Sequence, residues 1–88
     1  MDEIVVVAVG IDRPGLVSEV SNVIFELGGN IEDMDQVVMR NVFVMSVFAR
    51  FDSSNFSLEK FKNILSERCG RFGLKVEVYP VRELSGGV

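Results

Sequence analysis

The sequence contains no histidine and no tryptophan, one cysteine (Cys69) and two prolines (Pro14 and Pro80). Without histidine the commonest general base and the commonest metal ligand are both missing, so no metal or other cofactor is expected. A single cysteine rules out an internal disulfide framework. Uncharged runs stay below about ten residues, too short to cross a bilayer, and no membrane segment is expected. Positive charge is scarce in the first part of the chain: residues 1–35 carry Arg13 alone against eight carboxylates, a balance of −7. Residues 36–88 balance at +3, which leaves −4 overall. A nucleic-acid binder needs a basic face to displace counterions from phosphates, so no direct nucleic-acid partner is expected. The opening Met1-Asp2-Glu3 is acidic where a secretory signal would be basic, and a cytoplasmic location is expected.

What is present is an ordinary globular composition, 48% hydrophobic and 25% charged over 88 residues. That is one domain's worth of chain. No linker or low-complexity stretch divides it, so residues 1–84 are expected to form a single domain and residues 85–88, Ser-Gly-Gly-Val, a loose tail.

Hydrophobic periodicity gives the elements. Residues 4–9, Ile-Val-Val-Val-Ala-Val, read as a strand apolar on both faces. Asp12-Arg13-Pro14-Gly15 is turn chemistry, with Pro14 suited to the first turn of a helix. Leu16, Val17, Val20, Val23, Ile24 and Leu27 mark one face of that helix, which Gly28-Gly29 stops. Residues 30–40 read as a second strand, acidic at its start and apolar at its end, with Asn41 as a turn residue. Residues 42–51 read as a third strand, largely apolar on both faces. Ser57 can cap a second helix bearing Leu58, Phe61, Ile64, Leu65 and Cys69 on its apolar side. Residues 74–81 read as a last strand, at an edge or ending near Pro80, which lacks a ladder donor.

The order βαββαβ predicts an α+β, ferredoxin-like sandwich: a four-stranded antiparallel sheet with two helices on one face and strands one and three inside. Two-sided apolar strands beneath a one-sided helix layer leave a second apolar face. Self-association as a homodimer or higher homo-oligomer, through a sheet edge or that face, is the expected consequence.

This topology serves unrelated functions, so the sites must decide. Residues 11–15 contain no sulfur for a metal chaperone. Strand three has Phe43 and Phe48 but neither the glycine nor the leading basic residue of an RNA-recognition motif. Gly10 and Gly15 are spaced as in a phosphate loop, but Leu16-Val17 replaces the required Lys-Ser/Thr. A small enzyme acting on an acyl or phosphoryl group would have to use Arg13 and Asn30, and the loop between them is wrong for it. No catalytic residue is assigned. Cys69 reads as a small buried hydrophobe, and Asp33 with Asp35 as a solvated edge.

The strongest signal joins Asp12-Arg13-Pro14-Gly15 to Gly29-Asn30-Ile31. Gly15 permits close backbone approach at a helix N-terminus, where free N–H groups favour a carboxylate. Asn30 offers a donor and an acceptor. An α-amino acid suits that pair, and so do two tight turns that bind nothing; the residues alone leave both open. A purely structural interaction domain is the corresponding alternative.

At these residues the sequence resembles the ACT domain family, small regulatory domains that bind amino acids. The shared pattern is a hydrophobic strand, then Asp-Arg-Pro-Gly-Leu-Val, then a helix ending Leu-Gly-Gly-Asn-Ile. Residues 30–36, followed by Phe43-x-Met45, look like small stand-alone ACT proteins of an uncharacterised family. Those are similar to the ACT halves of the glycine-cleavage transcriptional repressor and to the N-terminal domain of formyltetrahydrofolate deformylase. The resemblance implies a non-enzymatic module that senses an amino acid or similar metabolite at a subunit interface. It implies ligand contacts at Asp12, Arg13, Pro14, Gly15, Asn30 and Ile31, with a protein partner as a further possibility.

Overall fold

A computed structural model describes residues 2–52, 54 and 56–85. Its elements are β1 (Asp2–Ile11), α1 (Leu16–Glu26), β2 (Asn30–Met39), β3 (Val42–Phe51), α2 (Leu58–Gly70), β4 (Lys75–Pro80) and α3 (Val81–Ser85). The strands form one antiparallel sheet in the order β2-β3-β1-β4, so β1 and β3 lie inside and β4 is an edge ending at Pro80. This is the ferredoxin-like sandwich that the periodicity predicts.

Alternation along the inner strands sorts side chains between the faces. Ile4, Val6 and Ala8 of β1, and Phe43, Met45, Val47, Ala49 and Phe51 of β3, are buried beneath the helices. They meet Leu16, Val20, Val23 and Ile24 of α1 and Phe61, Leu65 and Cys69 of α2 in one core. Phe51 anchors its lower end, stacking on Phe56 at 4.4 Å and meeting Phe61 edge-on at 5.0 Å. Gly29 is required here by close approach: a Cβ would lie 2.6 Å from the Phe51 ring and 2.7 Å from Ile24.

Several boundaries differ from expectation, including β4, which spans Lys75–Pro80 and not 74–81. β1 extends through Asp2 and Ile11 because β3 pairs along its whole length, from Asp2↔Phe51 to Ile11↔Val42. α1 begins at Leu16, so Pro14 lies in the preceding turn and not in the first helical turn. β2 ends at Met39, and Arg40 joins Asn41 in the turn, both with positive φ (49° and 71°). This two-residue hairpin matches the right-handed twist of its strands. Finally, the chain after Pro80 turns into the short helix α3, which the sequence reading missed. Ser85, placed in the expected tail, closes that helix, and the rest of that tail, residues 86–88, falls outside the described residues. Among the described residues no helix is long and apolar enough to cross a membrane.

Candidate functional site

The loop after β1 carries four of the six expected site residues. Asp12, Arg13, Pro14 and Gly15 are all exposed. Gly15 is the N-cap of α1 in the left-handed conformation (φ 89°, ψ 0°), and no side chain caps that end. The first-turn N–H groups of α1 are therefore open to an outside acceptor. The side of Gly15 where a Cβ would stand is empty, with nothing within 4 Å. Only its dihedral demands glycine there, because an L side chain disfavours that region.

Two contacts hold the loop. Asp12 donates its N–H to the Asn41 carbonyl at 2.7 Å, tying the loop to the β2–β3 hairpin. The Arg13 guanidinium lies 5.8 Å above the Phe72 ring, a cation–π contact with the turn after α2.

Asn30 and Ile31 occupy the opposite end of the sheet. Asn30 stands in register with Arg50, and Arg50 with Glu3. Asn30 Nδ2 donates to Glu32 at 3.1 Å, Arg50 bridges Glu32 at 3.0 Å and Glu3 at 3.5 Å, and the carboxamide is exposed. Ile31 is half-buried against the core. Between Gly15 and Asn30 runs all of α1, eleven residues or about 16 Å of helix. One chain therefore does not bring the two clusters together. Arg13 and Asn30 are likewise apart, which removes the geometry an acyl- or phosphoryl-transfer site would need within one chain.

Cys69 is fully buried between α2 and the sheet, and burial pushes its thiol up to about 11 despite the neighbouring Arg68 cation. Such a thiol is packing, as expected. Asp33 and Asp35 share the helix-free face of β2, exposed, each accepting the N–H of the next residue, Met34 at 2.9 Å and Gln36 at 2.8 Å. Among the described residues no three His, Cys, Asp or Glu side chains gather as a metal site. The sequence reading missed a cleft of about 290 Å³ lined by Ile4, Phe56, Leu58 and Pro80 together with Asp2 and Arg82. It exists because α3 folds back beside β1, and no motif in the sequence marks that fold-back.

The family model of the ACT domain matches residues 2–79. The chain belongs to the ACT domain family. ACT domains are small-molecule-binding regulatory modules, and this one is 35% identical over 78 residues to a UPF0237 protein of Methanopyrus kandleri, covering 89% of this chain and 87% of that one. A UPF0237 protein of Methanocaldococcus jannaschii is 31% identical over the same shares. Among solved structures, an ACT domain protein from Streptococcus pneumoniae superposes with a TM-score of 0.86 at 24% identity, covering 94% of this chain and 93% of that one, a likeness of fold. A candidate glycine cleavage system transcriptional repressor superposes with a TM-score of 0.73 at 25% identity, and this ACT domain spans 90% of its own length but 45% of that chain.

Proposed function

We propose that this ACT domain is a non-enzymatic sensor of an amino acid or similar small metabolite, with the ligand held between two copies of the chain. The loop Asp12–Gly15 of one copy receives the ligand carboxylate at the open N-terminus of α1. Arg13 adds positive charge, and Asn30 with Ile31 of the second copy closes the site.

The observation that carries this reading is the separation of the two clusters. Both have ligand-binding chemistry, yet α1 holds them about 16 Å apart in one chain. The reading requires a second copy, reversed in direction, that presents its Asn30 end at the Asp12 end of the first.

The test is a thermal-shift screen of the twenty amino acids and common acyl phosphates. A ligand bound only by the folded state stabilises it by about 2.7 kcal/mol at a hundredfold excess over its dissociation constant. One amino-acid class is expected to raise the melting temperature, without turnover of the acyl phosphates. No shift with any amino acid sinks the proposal.

A further inference from the structure

The cleft of about 290 Å³ beside the start of β1 has no part in the sensing site. β1 separates it from the Asp12 loop: Asp2 begins that strand and Asp12 follows its end, about 30 Å of extended chain away. Part of its lining also lies past the family match, which stops at residue 79. Pro80 ends β4, and Val81 and Arg82 open α3. The cleft therefore depends on residues outside the shared ACT pattern.

Its lining divides by chemistry. Ile4, Phe56, Leu58, Pro80 and Val81 make it apolar, while Asp2, Glu3 and Arg82 add charge. Phe56 is a fixed part of the lining, stacked on Phe51 at 4.4 Å and tilted against Phe61 at 5.9 Å.

The two carboxylates are engaged differently. Glu3 turns to Arg50 across the sheet, at 3.5 Å. Asp2 is the more buried of the two, with 29% of its side chain exposed. Its ion-pair partner Arg82 stands 4.0 Å away, at the outer limit for such a pair. The Arg82 side chain is 79% exposed, so water screens its charge. Among the described residues no side chain or main chain donates a hydrogen bond to the Asp2 carboxylate. A half-buried carboxylate short of donors, set among apolar side chains, suits an N–H donor from outside.

We propose that this cleft binds a small apolar primary amine. The alkyl or aryl body lies against Phe56, Leu58 and Val81, and the ammonium donates to Asp2. A volume near 300 Å³ is at the small end of the roughly 300–1,000 Å³ range of ligand pockets, which fits a body of a few carbons. An ammonium–carboxylate hydrogen bond is charge-assisted and gains strength away from bulk water. The Phe56 ring favours a cation as well. A carboxylate on the same body is rejected, because it meets Asp2 and Glu3 against one exposed cation, Arg82. Removing the carboxyl group of an apolar amino acid leaves an amine of this class.

The proposal requires neither a second copy nor an amino acid at the Asp12 loop, so it stands or falls apart from the sensing reading. Its test is a titration of isotope-labelled protein followed by amide shifts. The probes are isoamylamine, isoamyl alcohol and isovalerate, which share one branched skeleton and carry a cationic, a neutral and an anionic head. Isoamylamine is expected to shift the amides of Ile4, Phe56, Leu58 and Val81 with a dissociation constant below about 10 mM, within reach of so small a ligand. The alcohol should bind at least about tenfold more weakly and isovalerate not at all. Asp2→Asn should bring the amine down to the affinity of the alcohol and leave the alcohol unchanged, a difference that loss of structure would not produce. Val81→Phe, which puts a ring into the space, should abolish the shifts from both. Isovalerate binding as well as the amine, an amine affinity indifferent to Asp2→Asn, shifts confined to the Asp12–Gly15 loop, or no shifts at all would each overturn the proposal.

Discussion

The backbone N–H of Asp12 donates to the carbonyl oxygen of Asn41 at 2.7 Å. Twenty-nine positions separate the two residues in sequence, yet this bond joins the candidate ligand loop to the hairpin between β2 and β3. The loop's shape therefore depends on a turn whose two residues, Arg40 and Asn41, both hold positive φ.

That turn is improvable. Arginine is a poor occupant of the left-handed region, which costs an L residue about 1–2 kcal/mol. Replacing Arg40-Asn41 with Asn-Gly, the preferred pair for this hairpin, should stabilise the domain by about 1 kcal/mol. The Asp12 bond uses a main-chain carbonyl and survives the change. Urea denaturation should show a higher midpoint with an unchanged slope.

Ile24 lies fully buried in mid-core, against the sheet and beside Gly29. Ile24→Ala should cost about 2–5 kcal/mol, from lost burial and the cavity left behind. For a domain of this size that is a large share of the total. A loss under about 1 kcal/mol in the same denaturation experiment would show that the site collapses freely.

The Cys69 thiol is raised from 9.0 to about 11 by burial. The folded state thus holds its proton through a pH range in which the unfolded chain releases it. Stability from this group is complete below pH 9.0 and declines as pH rises toward 11. Melting temperatures between those limits should fall less steeply in Cys69→Ala than in wild type. A thiol reagent at pH 8 should react with the unfolded chain and not the folded one; equal rates would contradict the burial.

At the candidate site, Asn30→Ala should weaken amino-acid binding by about 1–3 kcal/mol, the cost of leaving a polar partner unpaired. Gly15→Val should weaken it more. It forces a β-branched residue to a φ of 89° and fills the open side of the turn. Neither residue belongs to the core, so both variants should remain folded by circular dichroism. Calorimetric titration with the amino acid found by screening checks both, and wild-type affinity in each would move the site elsewhere.

Most of the fold was legible because period-2 and period-3.6 patterns are local. The run from Val42 to Phe51 is largely apolar on both faces, which placed β3 inside the sheet with its ends correct to the residue. Ser57 was legible as a cap, and its hydroxyl does accept the Lys60 N–H at 3.3 Å. Helix α3 was not legible, since five residues carry too little periodicity to mark a helix. The residue types of the candidate site were legible, but their distance was not. Asp12-Arg13-Pro14-Gly15 and Asn30 look adjacent as the two turns flanking one helix, and a helix puts its flanking turns at opposite ends.

The amino-acid sequence alone determined the order of elements, the apolar stripes, the glycines at the turns and the acidic first third, because each depends on residue type and spacing along the chain. Tertiary structure alone decided that Asp12 meets Asn41, that α1 keeps Gly15 from Asn30, and that Arg50 reaches both Glu3 and Glu32. Those facts depend on strand order and register. Both are set by which faces bury together, and no single stretch of sequence contains that information.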